Sequence, residues 1–260
     1  MRYASLASGS RGNCHAINDG ERILLIDAGI ISLLEIWRRL ESIGWSYHDV
    51  RGVAITHAHS DHIRAVRVIL YKTNWTILAT ESTLHAIEEA TGWEVPKERW
   101  VPLMEGHGCN WGGWLITPWP VPHDAESGTN AFRIEAGGVR VAVITDLGMA
   151  TESAFKCAKD VELLVLEANY DEEMLRNGRY PPKLKRRILS RSGHLSNDDC
   201  AKALAKMISP ALRHVVLAHL SDENNYPELA MRAAAKALRF GDSRARLHVA
   251  SQNEVLEIQI

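Results

Sequence analysis

With 260 residues, 46% of them hydrophobic, the chain can bury a substantial core, and one domain over residues 1–260 is expected, with no linker visible. A formal net charge of −2 excludes a global basic field as the means of holding nucleic acid or membrane, so any such surface must be local. Cys14, Cys109, Cys157 and Cys200 form no Cys-x-x-Cys pair, which argues against a disulfide framework and a thiolate metal cage. No apolar run approaches the roughly 18 residues of a membrane helix and no long apolar leader is seen, so a cytoplasmic protein with no membrane partner is expected.

The first strand alternates around Tyr3, Ser5 and Leu6 and meets a glycine-punctuated turn at residues 8–13. Amides exposed in such a turn can meet an anion, with Arg11 beside them; a plain hairpin is the equal alternative. A second strand follows at 14–17, and a third, 23–26, runs into Asp27. Leu33, Ile36, Trp37 and Leu40 are spaced as the inner face of a helix stopped by Gly44.

The β-branched run 51–55 reads as a buried strand and leads into Thr56-His57-Ala58-His59-Ser60-Asp61-His62. Ile63, Val66 and Leu70 then have helical spacing. Packing does not call for so many donors on one turn. His57 and His59, two apart, can converge on one metal from extended backbone, while Asp61 and His62 point toward a second. Imidazole and carboxylate suit zinc and similar divalent ions.

Beyond the motif, 75–80 reads as a strand and 82–91 as a helix closed by Gly92, with His85 on its surface. Trp100, Trp111, Trp114 and Trp119 alternate with glycines; covering a sheet is a better reading of these indoles than base stacking, and His107 shares it. His123 follows Pro120-Val121-Pro122 and can complete a shell with His57 and His59. Asp146 ends the strand 139–145, and its two oxygens can bridge two ions. A strand at 161–166 delivers Glu167.

Arg176, Arg179, Lys183, Lys185, Arg186, Arg187 and Arg191 then follow with no acidic residue between Glu173 and Asp198. The run leads into Ser192-Gly193-His194, which favours contact of Lys183, Lys185, Arg186, Arg187 and Arg191 with a phosphate backbone. Ser196 caps a helix whose expected inner face is Ala201, Leu204, Ala205 and Ile208. A strand at 213–218 precedes His219, Asn224-Asn225-Tyr226-Pro227 opens the next helix, and 247–260 adds final strands.

The His-x-His-x-Asp-His signature, with Asp27, His123, Asp146 and His219 in order, resembles the metallo-β-lactamase superfamily over nearly the whole chain. The resemblance implies an α/β four-layer αββα sandwich with the site where strand-end loops meet. A doubly wound sheet would not readily gather five separated donor loops at one edge. It also implies that His57, His59 and His123 hold one ion, Asp61, His62 and His219 a second, and Asp146 both, with Asp27 ordering the site from outside. Two divalent ions are expected, zinc first and manganese second.

The segments Leu166-Glu167-Ala168-Asn169-Tyr170-Asp171, Gly193-His194-Leu195-Ser196-Asn197 and His219-Leu220-Ser221 look like the YycJ/WalJ-type branch, described as 5′→3′ exonucleases on DNA. They are also similar to the ribonuclease Z branch, in which a glutamate and a histidine matching Glu167 and His194 cooperate in proton transfer. Residues 124–129 depart from the family's Asp-Pro-x-Gly pattern. The span from Asp146 to His219 is too short for the large clamp of β-CASP nucleases. The reading is a metal-dependent nuclease using a metal-activated hydroxide, with Asp61, His194 and Glu167 in the chemistry and nucleic acid, DNA favoured, as substrate. The alternatives are a hydrolase of small phosphodiesters, lactones, thioesters or β-lactams, and a nucleic-acid-binding protein with structural metals. A full set of seven donors opposes the last, because structural zinc sites are closed and usually tetrahedral.

Overall fold

A computed structural model describes all 260 residues. The first half runs β1 Arg2–Ala7, β2 Cys14–Asn18, β3 Ile23–Ile26, α1 Leu33–Ser42, β4 Val50–Ala54, α2 Ser60–Ile63, α3 Val66–Lys72, β5 Thr76–Ala79, α4 Glu81–Thr91 and β6 Trp100–Pro102. Then come β7 Cys109–Trp111, β8 Trp114–Val121, β9 Thr129–Ala136, β10 Val139–Ile144, α5 Glu152–Cys157 and β11 Leu163–Glu167. The chain ends with α6 Glu172–Asn177, α7 Pro182–Ile188, α8 Asn197–Met207, β12 His214–Ala218, α9 Pro227–Phe240, β13 Arg246–Val249 and β14 Leu256–Gln259. No helix is long and apolar enough to cross a membrane.

The strands form two seven-stranded mixed sheets, ordered β14-β1-β2-β3-β4-β5-β6 and β13-β12-β11-β10-β9-β8-β7. In each, an antiparallel half joins a parallel half, at β3 and at β10 respectively. Parallel neighbours need crossover segments, which here bring helices onto the outer faces. Tyr3, Ile17, Trp114, Phe132 and Val165 fill the space between the sheets. Leu33, Ile36, Val66 and Ile87 pack α1, α3 and α4 on one outer face, and Cys157, Leu204 and Ala234 pack α5, α8 and α9 on the other. Successive strand residues face opposite layers, and both layers are dry, so the inner strands read as unbroken apolar runs. This is the four-layer αββα sandwich expected from the sequence.

Asp27, Asp146 and His219 follow the ends of β3, β10 and β12, and all three have left-handed backbone, with φ of 62°, 57° and 57°. Such positions cost about 1–3 kcal/mol each and persist only where their surroundings enforce them. Here each lets the chain turn abruptly off its strand. Gly29 brings the β3 loop against the metal motif: a Cβ there would lie 1.6 Å from the Asp61 carbonyl oxygen.

Four expectations need adjustment. The helix after the motif is two pieces, α2 and α3, because the amide of Ala65 turns away to the carbonyl of Ala28 (2.9 Å). The buried face of α8 is Cys200, Ala203, Leu204 and Met207, one position earlier than read, since alanines on both stripes hide the phase. The basic run is partly helical, as α7, opened by a proline in its first turn. It is also not free of counter-charge: Arg176 pairs with Glu172 and Arg187 with Asp124. The tryptophans take the covering role, Trp114 wholly buried between the sheets and Trp111 stacked on it.

Gly29→Ala should destabilise the fold by roughly 1–3 kcal/mol or more, the usual cost of overpacking. Thermal unfolding should register it, and metal retention should fall in parallel because the displaced atom belongs to Asp61. A variant with wild-type melting would show that the two loops can separate without cost.

Candidate metal centre

Strand ends and one helix start assemble the donors. His57 follows β4, His59 caps α2, Asp61 and His62 lie in α2's single turn, and His123, Asp146 and His219 follow β8, β10 and β12. Their nitrogen and oxygen atoms fall into overlapping groups in which every atom lies within 4.8 Å of the others: His57, His59 and His123; His57, His62 and Asp146; Asp61, His62 and His219. Asp146 is central. Its oxygens lie 3.3 Å from His62 Nε2, 3.4 Å from His219 Nε2 and 3.7 Å from His123 Nε2.

The ring nitrogens turned away from this centre are engaged. His62 Nδ1 donates to Asp27 Oδ2 (2.7 Å), and His123 Nδ1 donates to the Gly193 carbonyl (2.9 Å). His57 Nδ1 lies 2.9 Å from Thr56 Oγ1, a hydroxyl that donates to Asp27. His219 Nδ1 lies 3.2 Å from Glu167 Oε1. With one nitrogen occupied, each ring keeps the other for the centre. Asp27 therefore touches the donor set from outside, through His62 and Thr56.

Several contributors were not anticipated. Asn13, in the turn after β1, donates to Asp61 Oδ2 (3.4 Å) and lies 3.2 Å from His62 Nε2. Ser8 Oγ accepts from the His219 amide, and Asn169 Nδ2 donates to the His219 carbonyl. Only their position beside Gly9 and beside Glu167 hinted at a role. The amides of the same turn are taken by side chains, Gly9 N–H by Asn13 within the turn and Arg11 N–H by the distant Gln252, while the Arg11 guanidinium pairs with Asp222 at 3.0 Å. Arg11 thus lies apart from the donor cluster.

Electrostatics define what the centre can hold. Burial opposes charge on His62, but Asp146 and Asp27 outweigh it and hold its pKa well above the imidazole range. Burial likewise opposes charge on His219, yet Asp146 and Asp61 push it up to about 10. On the other side, burial and the neighbouring His62 and His123 hold His57 well down. Asp146 Oδ2 and His219 Nε2 are buried without a protein hydrogen bond, and His57 Nε2 faces His59 Nδ1 at 3.0 Å. Buried carboxylates crowded by imidazoles, with Asp146 Oδ2 and His219 Nε2 left without a protein partner, are a donor set that fits a divalent cation.

A cavity of about 230 Å³ opens over the donors. His59, Asp61, His123, Asp146 and His219 line it, and so do His194 and Arg187. His194 Nδ1 donates to Glu167 Oε1 (2.7 Å), while Glu167 Oε2 accepts from the amides of Leu147 and Leu195 (3.1 Å each). Burial opposes ionisation of Glu167, but His194 and His219 hold its pKa well below the usual carboxylate range. Among the cations assigned to phosphate, Arg187 alone reaches the cavity wall; Lys183, Lys185, Arg186 and Arg191 lie outside it.

This architecture belongs to a known class. A profile described as Beta-lactamase superfamily domain matches residues 22–220, and the chain belongs to the metallo-β-lactamase superfamily of metal-dependent hydrolases. Within it, the chain is 35% identical over 240 residues to exodeoxyribonuclease YycJ of Bacillus anthracis, spanning 92% of this chain and 89% of the relative. Exodeoxyribonuclease WalJ of Streptococcus pneumoniae is 34% identical over 243 residues, with 93% and 90% covered. Among solved structures, YhfI of Bacillus subtilis superposes with a TM-score of 0.74 at 15% identity, over 99% of both chains. The short form of human tRNase Z superposes at 0.66 and 16% identity over all of both chains. At such identities these structures speak to the fold alone.

Raised pKa values at His62 and His219 make metal loading compete with protons at these two rings. Affinity for zinc should therefore rise with pH through the neutral range, because both groups have raised pKa values and hold their protons more firmly as pH falls. Calorimetric titrations in buffers of different ionisation enthalpy should show net proton release near neutrality. Heats independent of the buffer would mean that these two imidazoles are not displaced.

Proposed function

We propose that the protein is a nuclease that removes nucleotides from DNA in the 5′→3′ direction. The observation that carries this reading is His194, hydrogen-bonded to the buried carboxylate of Glu167 and facing the same cavity as the donor cluster. Kinship with the two exodeoxyribonucleases supports DNA as the substrate.

His57, His59 and His123 would hold one divalent ion and Asp61, His62 and His219 another, with Asp146 common to both. Zinc matches the imidazole and carboxylate donors, with manganese as the second choice. When bound, such ions supply positive charge for phosphoryl oxygens and a water acidified to near neutral pH.

The chain's own residues supply the remaining parts. Phosphodiester hydrolysis forms a bond from water oxygen to phosphorus and breaks one to the departing oxygen, which needs a proton unless it leaves as an alkoxide. Glu167, fixed by two amides, holds His194 Nδ1 and turns its other nitrogen to the cavity, where it can deliver that proton. His194 keeps 18% of its side chain exposed, enough to meet a substrate. Arg187, forked onto Asp124 at the cavity wall, presents a guanidinium to a phosphate without having to be ordered first. Lys183, Arg186 and Arg191 are exposed and make no ion pair, which suits them to phosphates farther along a strand.

The direct test incubates metal-analysed protein with end-labelled single- and double-stranded DNA and RNA, with zinc and with manganese. Progressive loss from 5′ ends of DNA, with two ions per chain, is expected. A stoichiometry fixed at one, or activity restricted to lactone, thioester or β-lactam substrates, sinks the proposal.

The role of His194 has its own test. His194→Ala should keep the wild-type metal content yet lower kcat on oligonucleotides by roughly 100- to 10,000-fold. Hydrolysis of a p-nitrophenyl phosphodiester, whose leaving group needs no proton, should remain near wild type. Equal losses on both substrates remove His194 from proton transfer. Glu167→Gln should also reduce metal content, because the same carboxylate oxygen faces His219.

A further inference from the structure

The residues that follow β10 each touch a different part of the centre. Asp146 lies among His62, His123 and His219, the Leu147 amide donates to Glu167 Oε2 at 3.1 Å, and Gly148 lies against the turn that carries His194. This last contact is backbone on backbone. A Cβ on Gly148 would lie 2.3 Å from both the carbonyl carbon and the carbonyl oxygen of Arg191, and 2.6 Å from the amide nitrogen of Gly193. Carbon atoms in good contact stand roughly 3.5–4.0 Å apart, so any side chain here drives one of the two segments back by about 1 Å.

What holds each segment decides which one yields. Asp146 and Leu147 are buried, and the Gly148 amide donates to the Pro122 carbonyl at 2.8 Å. The facing turn is looser, with Arg191 exposed and Ser192 half-buried. Its amides bond close by, Gly193 to the Ser190 carbonyl and His194 to the Ile188 carbonyl. Displacement therefore falls on residues 191–194, and the His194 ring moves with them relative to Glu167, whose Oε1 it meets at 2.7 Å. A proton donor works only within about 2.6–3.2 Å of the atom it serves, so a shift of this size matters.

We propose that Gly148 is a positioning residue for proton transfer: its missing side chain lets the His194 turn close onto the Asp146 segment and sets the reach of the imidazole into the metal cavity. Gly148 acts through His194. The proposal rests on the nuclease reading, because proton delivery by His194 is the step it serves.

The test is a double-mutant cycle on metal-loaded protein, with metal content checked in every variant. Gly148→Ala should lower kcat on oligonucleotides roughly 10- to 100-fold, the usual effect of misplacing a reacting group by about 1 Å. Metal content and hydrolysis of a p-nitrophenyl phosphodiester should stay near wild type. In protein already carrying His194→Ala, the same substitution should cost less than about twofold, because the group it displaces is gone. A glycine needed only for folding would cost the same factor in both backgrounds and on both substrates, and either result would overturn the proposal.

Wild-type protein supplies a measurement that needs no substitution. In native-state hydrogen exchange the Gly193 and His194 amides should be protected to the same degree as the Gly148 amide, since segments packed together open together. Rapid exchange at Gly193 and His194 beside a protected Gly148 would show that the turn is not held there, and the proposal would fail. If wild type hydrolyses no phosphodiester, the nuclease reading falls and takes the role of Gly148 with it. If wild type cuts DNA and the losses in the cycle are additive, Gly148 alone is removed.

Discussion

Asp146 is the residue on which the arrangement turns. It is a carboxylate 1% exposed at the edge of the sheets, and a buried anion costs several kcal/mol unless it is paired. The pairing comes from three imidazoles on three separate segments, His62 in the turn of α2 and His123 and His219 on loops after β8 and β12. Those segments can converge only because strands of both sheets end on the same edge. The four-layer sandwich supplies a rigid base, with apolar layers on both sides of each sheet that leave the strand ends little freedom to shift. Left-handed backbone at Asp27, Asp146 and His219 is the strain that this base absorbs.

Glu167 links two functions that could have been separate. One oxygen faces both His194 and His219, at 2.7 and 3.2 Å, and the other is held by two amides. The two rings are themselves stacked, with centroids 5.2 Å apart. A ring expected to hold an ion and a ring expected to hand over a proton therefore share one orienting charge. Any change in charge on one is felt by the other through that carboxylate, so the position cannot be tuned for proton delivery alone.

How much of this was legible in the sequence depends on range. The cluster His57, His59, Asp61 and His62 is local, and its spacing alone identifies it. Asp146 and His219 are legible because largely apolar strand runs lead into them. Asn13 was not, since its amide meets Asp61 only after the turn before β2 is laid against α2. The pairing of Arg187 with Asp124 joins residues 63 apart, and no local pattern announces it. The seven residues of α7 are too few to show helical periodicity. In α8, alanines on neighbouring stripes blurred the phase, and Cys200 and Met207 set it only once the sheet beneath was placed.

The excursion between β11 and α8 is where this scaffold can vary what it acts on. Tyr170, Leu175 and Ile188 form a small core of their own, with Tyr180 and Leu184 packed on it, apart from the three main layers of the core. That core holds α6 and α7 against the site and so fixes Tyr180 and Arg187 in the cavity wall. It also holds the loop that follows: the His194 amide donates to the Ile188 carbonyl, and the Gly193 carbonyl accepts from His123. None of the seven expected ion donors lies within the excursion. The parts that would grip a strand are thus built on an element whose packing is largely independent of the ion centre, while the one loop that closes it joins His194 to His123. Changes on the outer faces of α6 and α7 would leave the donor cluster in place, whereas changes at that loop would reach both His194 and His123.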